Sequence, residues 1–121
     1  MRICISAILA TAVCGFSSAA FAHAHLSSSE PSDGSSLKAS PTRIALQFSE
    51  GLEPAFSHMI VSGPSGDPIS LGDEIVGGPG DMELSSAPAT PLQPGRYVIK
   101  WEVLSKDGHK TTGTTSFTVT P

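Results

Sequence analysis

Apolar and polar residues alternate along several short stretches of the chain. The longest stretch, residues 96–104, places four large side chains on one face: Tyr97, Ile99, Trp101 and Val103. A period of two in β-branched and aromatic residues is typical of a strand with one buried face. The alternation predicts strands at residues 43–48, 57–61, 82–84, 96–104 and 114–120. Further inward-facing residues are then Ile44, Leu46, Phe48, Phe117 and Val119, and Tyr97 and Trp101 are predicted to lie in the core.

Glycine, proline and serine separate these stretches at short intervals. The turn or loop segments are residues 31–34, 63–66, 77–80, 94–95 and 106–109, and the last has an Asp-Gly pair that favours a tight hairpin. No long helical period occurs. We therefore predict an all-β protein of six or seven strands, a Greek-key β-sandwich or small barrel, with loops at its ends that can carry a site.

The first 22 residues have the pattern of an export signal. Arg2 precedes the apolar run of residues 3–13, and Ala20-Phe21-Ala22 matches the pattern that signal peptidase cleaves. The run is too short to span a bilayer as a helix. We predict a cleaved signal peptide at residues 1–22 and one domain at residues 23–121, beginning with His23. Lipidation at Cys14 is the alternative, but Val13 stands where a small residue is expected.

The predicted mature chain has no cysteine, because Cys4 and Cys14 both lie in the signal. It must fold by core burial without disulfides, which a domain of this size can do. The formal net charge of the full sequence is −4, the predicted mature chain loses Arg2 and is more acidic still, and no basic stripe occurs, so nucleic-acid binding is not expected. No second apolar run has the length of a membrane span, and we expect a soluble protein.

Histidine provides the candidate chemistry. The chain has four, His23, His25, His58 and His109. An N-terminal histidine can chelate a metal through its amine and its imidazole, which both deprotonate near neutral pH when a metal competes. One more imidazole would give a T-shaped set of three nitrogens, and Asp107 could add an oxygen. Copper(II) favours such tetragonal nitrogen and oxygen ligands.

Ordinary explanations fit the same residues. Surface histidines are usually only polar and exposed, and an Asp-Gly pair is usually only a turn. From their spacing alone, a copper(II) site and a metal-free surface both stay open.

The predicted mature chain resembles the CopC family of bacterial copper-resistance proteins over nearly its full length. The similar segments are residues 23–26, 29–34, 46–50, 94–103, 105–109 and 113–119. The most specific are the Pro94-Gly95 turn, the strand with Tyr97 and Trp101, and the Asp107-Gly108-His109 turn, in that order.

The resemblance implies a cupredoxin-like or Ig-like β-sandwich in the periplasm. It implies a copper(II) site made of His23, Asp107 and His109. Glu50 matches a carboxylate that lies near the metal in the family, and we expect it to support the ligands rather than bind directly.

The chain departs from family members that carry a methionine-rich loop for copper(I). Only Met59 and Met82 follow the predicted signal, and we expect both to pack as ordinary apolar residues. His58 precedes Met59, but strand neighbours point in opposite directions. We predict one copper(II) site and no dedicated copper(I) site.

His25 offers an alternative site. A free N-terminus with histidine in third position can bind copper(II) through the amine, two deprotonated amides and the His25 imidazole. We favour the folded site, because the alternative leaves Asp107 and His109 without a role.

We therefore expect a monomeric periplasmic copper(II) carrier or buffer that passes the ion to an inner-membrane copper transporter. An enzyme is the first rival, because polysaccharide monooxygenases also use an N-terminal histidine and a second histidine. A metal-free structural β-sandwich is the second rival.

Overall fold

The structure, a computed structural model, describes residues 24–121 and forms two four-stranded sheets. The predicted signal peptide and His23 lie outside the described residues. The first sheet has the order β1-β3-β6-β5 and the second β2-β8-β7-β4. The strands are β1 (Leu26–Glu30), β2 (Ser35–Leu37), β3 (Ile44–Phe48), β4 (His58–Ser62), β5 (Ile75–Gly77), β6 (Glu83–Ser86), β7 (Gly95–Leu104) and β8 (Lys110–Val119). The all-β sandwich prediction is confirmed.

The core lies between the two sheets, where the alternating residues of each strand meet. The residues predicted to face inward on β3, β7 and β8 are buried, apart from Trp101: Ile44, Leu46, Phe48, Tyr97, Ile99, Val103, Phe117 and Val119. Leu52, Met59, Val61 and Leu84 extend the same cluster. The period of two therefore predicts which side of each long strand is apolar and buried.

Trp101 packs at the margin of this core rather than at its centre. It is partly buried, and its ring stands edge-on to Phe48 at a centroid distance of 6.0 Å. Gly113 is its partner on β8, and a Cβ built there would lie 2.2 Å from the ring. The ring thus occupies the space that a side chain at residue 113 would need.

Three short strands were not predicted. β1 is mostly serine, β2 has three residues and pairs in parallel with β8, and β5 has three residues at a sheet edge. None of these three strands has a fully buried residue, so their sequences lack clear alternation. Residues 24–121 form eight strands instead of six or seven, and two single 3₁₀ turns occur in this range at Pro54–Phe56 and Pro79–Asp81.

The hairpin of β7 and β8 is longer than predicted. Its pairing runs from Gly95 with Val119 to Leu104 with Lys110, whereas the sequence placed the start of the last strand at residue 114. The extra residues are polar, so their pattern does not indicate a strand. They carry the turn of residues 105–109 to one end of the sandwich. No helix among residues 24–121 has the length and apolar character needed to cross a membrane.

Candidate metal centre

The turn between β7 and β8 is a compact loop that two main-chain hydrogen bonds close and a third fastens to a neighbouring segment. The Ser105 N–H donates to the His109 carbonyl at 2.9 Å, and the Gly108 N–H donates to the Ser105 carbonyl at 2.9 Å. Gly108 has a φ of 91°, a conformation that glycine adopts at little cost. The Lys106 N–H donates to the Gly51 carbonyl at 2.9 Å, which fixes the turn to the chain that follows β3.

Asp107 and His109 lie together on this turn. Oδ2 of Asp107 is 3.2 Å from Nδ1 of His109, and their side chains are 37% and 50% exposed, respectively. The structure thus brings together two of the three residues that the sequence proposed as ligands. Because both side chains are partly exposed and adjacent, a cation from solvent can reach the pair.

Hydrogen bonds favour the charged form of Asp107. The Ser105 hydroxyl, which donates to Oδ1, is the main reason that the pKa of Asp107 lies below its usual range. Contacts with the His109 side chain and main chain lower the pKa further. Asp107 is therefore a carboxylate at neutral pH, ready to offset the charge of a bound cation.

The first described residues are held close to the turn. Ala24 is fully buried, and its carbonyl accepts a hydrogen bond of 2.6 Å from the Thr111 hydroxyl. Thr111 lies two residues after His109 on β8. The N-terminal end of the described chain is therefore fastened to the same strand that leaves the candidate site.

Ser49 makes a second attachment at this point. The His25 N–H donates to the Ser49 hydroxyl at 3.1 Å, and the Ser49 N–H donates to the His25 carbonyl at 2.9 Å. Nδ1 of His25 also lies 3.2 Å from the Ser49 hydroxyl. The tripeptide alternative would need both the amide nitrogen and the imidazole of His25 for the metal. The contacts with Ser49 engage both groups, so this geometry favours the folded site.

Glu50 is exposed and lies two residues after the end of β3. Its neighbour Gly51 receives the hydrogen bond from Lys106, so this part of the chain runs alongside the turn. Lys106 also pairs with Asp81, with 2.6 Å between Nζ and Oδ2. A supporting role for Glu50 stays a prediction.

His58 and Met59 point to opposite faces of β4, as expected. Met59 is 3% exposed in the core, whereas the His58 ring lies at the surface between Glu74 and the Ala55 carbonyl. Nδ1 of His58 is 2.7 Å from Oε2 of Glu74, and this contact is the main cause of a raised His58 pKa. The other carboxylate oxygen of Glu74 accepts the Met59 N–H at 3.1 Å. His58 is therefore paired with Glu74 at the surface, whereas the Met59 side chain packs in the core on the other face of β4.

Within residues 24–121, no three His, Cys, Asp or Glu side chains are grouped closely enough to hold a metal ion. The Asp107–His109 pair therefore needs a further donor from elsewhere to complete a copper(II) site. The predicted donor, His23, lies outside the described residues.

Sequence reasoning missed three hydroxyl residues around the candidate site. Ser105 contacts Asp107, Thr111 holds Ala24, and Ser49 holds His25. Serine two residues before aspartate in a turn is a recognisable pattern, so Ser105 could have been found. Thr111 and Ser49 act across 87 and 24 residues of chain, and nothing local in the sequence marks them.

Known proteins have sequences similar to this chain over most of its length. A family model described as the CopC domain matches residues 26–120. Protein YobA of Escherichia coli strain K12 is 37% identical over 99 residues, covering 82% of this chain and 80% of that protein. Copper resistance protein C of Pseudomonas syringae pv. tomato is 35% identical over 108 residues, covering 85% of each chain.

A solved structure agrees with the sequence matches. The crystal structure of CopC from Methylosinus trichosporium OB3b aligns with a TM-score of 0.74 at 35% identity, covering 82% of this chain and 95% of that one. The family match begins three residues after His23, so it does not test that residue. On the extent of these matches, the chain belongs to the CopC family.

Proposed function

We propose that the mature protein binds one copper(II) ion through the amine and imidazole of His23 together with Asp107 and His109. The protein would act as an exported carrier or buffer in copper resistance or homeostasis. Membership of the CopC family supports copper as the cargo, and the relative from Pseudomonas syringae is named a copper resistance protein.

One juxtaposition carries the proposal. The Asp107–His109 pair lies on the turn, and two residues beyond it Thr111 holds the carbonyl of Ala24 at 2.6 Å. Consecutive Cα atoms are about 3.8 Å apart, and two strand residues span about 7 Å. A donor attached immediately before Ala24 is therefore within reach of the turn.

The donor set suits copper(II). Two imidazoles, one amine and one carboxylate provide nitrogen and oxygen ligands, which favour this ion over softer copper(I). The Asp107 charge offsets part of the charge of the metal. Protons compete for the amine and both imidazoles, so affinity should fall in acid.

The carrier role needs no chemistry on a substrate. A site that opens to solvent at one end of the sandwich can receive the ion and release it to a partner. We propose that the signal peptide is cleaved after Ala22 and that the mature protein is a monomer in the periplasm. This form would pass copper(II) to an inner-membrane copper transporter.

Three histidine variants test the site. In protein that begins at His23, His109→Ala should lower copper(II) affinity by at least about 100-fold, because a ligand is lost and outer contacts alone are worth 10- to 100-fold. His58→Ala is the matched control, because His58 lies on another strand beside Glu74, and it should leave affinity unchanged. Competition titration against a copper(II) chelator measures each value.

His25→Ala separates the two copper sites. The folded site predicts a small effect, whereas the tripeptide site predicts loss of tight binding. Unchanged affinity in His109→Ala, together with loss in His25→Ala, would overturn the folded site.

A further inference from the structure

Ser105 is a buried residue at the centre of the turn. It is 1% exposed, and its hydroxyl lies between the two candidate ligands. The hydroxyl donates to Oδ1 of Asp107 and accepts a hydrogen bond of 3.3 Å from the His109 N–H. A single side chain therefore contacts both halves of the Asp107–His109 pair.

These contacts give the two carboxylate oxygens of Asp107 different surroundings. Oδ1 accepts a hydrogen bond from the buried Ser105 hydroxyl, and it also accepts one of 3.4 Å from the main-chain N–H of His109. Oδ2 is directed toward the His109 ring at 3.2 Å. Without the inward contact, a half-exposed aspartate can rotate among its staggered χ1 positions.

We propose that Ser105 is a positioning residue of the copper(II) site, which holds the Asp107 carboxylate so that Oδ2 stands beside the His109 imidazole. This inference rests on the proposed function. The hydroxyl does not bind the ion; it acts through Asp107. Groups that orient metal ligands in this way are commonly worth 10- to 100-fold in affinity.

The test compares two buried serines. Ser105→Ala should weaken copper(II) binding about 10- to 100-fold. Ser57→Ala is the matched control: Ser57 is also 1% exposed, and its hydroxyl accepts the Leu104 N–H at 3.3 Å without touching a carboxylate. Ser57→Ala should leave affinity unchanged even where it lowers the urea midpoint as much as Ser105→Ala does.

A double-mutant cycle with Asp107→Ala tells positioning from general damage to the turn. If Ser105 acts through Asp107, Ser105→Ala should change copper(II) affinity by less than about threefold in protein that already carries Asp107→Ala. The electron paramagnetic resonance spectrum of bound copper(II) should change in Ser105→Ala and stay unchanged in Ser57→Ala. An equal loss from Ser105→Ala in both Asp107 backgrounds would overturn the inference.

Ser105→Thr keeps the hydroxyl and provides a second test if Ser105→Ala does not fold. Its affinity should stay within about threefold of the unmodified protein, and a tenfold loss in a folded protein would count against the inference. The two proposals fail differently. No tight binding by unmodified protein that starts at His23 removes the proposed function, whereas tight binding that Ser105→Ala leaves unchanged removes only the role of Ser105.

Discussion

Replacing Thr111 with valine removes the hydrogen bond that fastens the N-terminal end of the described chain. Valine has nearly the same shape as threonine but cannot donate to the Ala24 carbonyl, which the Thr111 hydroxyl meets at 2.6 Å. Ala24 is fully buried, so water does not replace the lost donor while the segment stays docked. The substitution should therefore destabilise the docked position of residues 24–30, whose first residue, Ala24, packs at the core.

The size of the effect follows from the state of that carbonyl. A buried acceptor left without a partner costs about 1–3 kcal/mol. Each 1.4 kcal/mol corresponds to a tenfold change in an equilibrium constant, so the docking equilibrium should shift about fivefold to 150-fold and copper(II) affinity should fall by at most about 150-fold. The largest loss applies to a segment that is only marginally docked in the unmodified protein, because affinity depends on the docked fraction that presents the donors of residue 23.

Thr120→Val is the matched control. The Thr120 hydroxyl donates to the Leu37 carbonyl at 2.9 Å across 83 residues of chain, and Thr120 follows the far end of β8. Its loss should lower stability without changing copper affinity. Chelator competition measures affinity, and amide hydrogen exchange of residues 24–30 reports docking. Unchanged affinity in Thr111→Val, at exchange rates that show residues 24–30 to be mostly undocked, would refute the link between docking and binding.

Three further outcomes are expected. Glu74 raises the pKa of His58 above its ordinary value of 6.5. The resulting stabilisation of the fold is present below pH 6.5 and is lost as the pH rises through the folded-state pKa. His58→Gln should therefore lower the urea midpoint more at about pH 5.5 than at about pH 8, and equal changes at the two pH values would contradict this. Gly113→Ala should cost at least about 1–3 kcal/mol in urea unfolding and shift Trp101 emission to the red, because its Cβ would lie 2.2 Å from the indole ring, and an unshifted emission maximum would show that the ring stays in place. Copper(II) should quench Trp101 emission and saturate at one equivalent, whereas saturation at two would indicate a second site.

The sequence predicts β3, β7 and the second half of β8 because alternate large side chains in these segments are mostly buried. On β3, β7 and β8 the alternation identified the inward residues, and the turn at residues 106–109 followed from Asp107-Gly108. β1, β2 and β5 bury few side chains and are held by pairing with distant strands, which no local pattern reveals.

In the candidate site, too, the sequence predicts some features and only the fold reveals others. Asp107 and His109 are two residues apart, so one turn brings them together, and the sequence alone suggested the pair. The contact of Thr111 with Ala24 depends on how β1 and β8 meet in the folded sandwich. Local spacing therefore predicts the two adjacent donors, whereas the residues that place the N-terminus require the fold.

The role of the terminal amine can be tested by a single added residue. Protein that begins at His23 and protein with one glycine before His23 have the same side chains and differ in the position of the free amine. We expect tight copper(II) binding only in the first, measured by chelator competition, because an acylated nitrogen is no longer an amine ligand. Equal affinity in the two proteins would contradict a copper(II) site built on a histidine N-terminus.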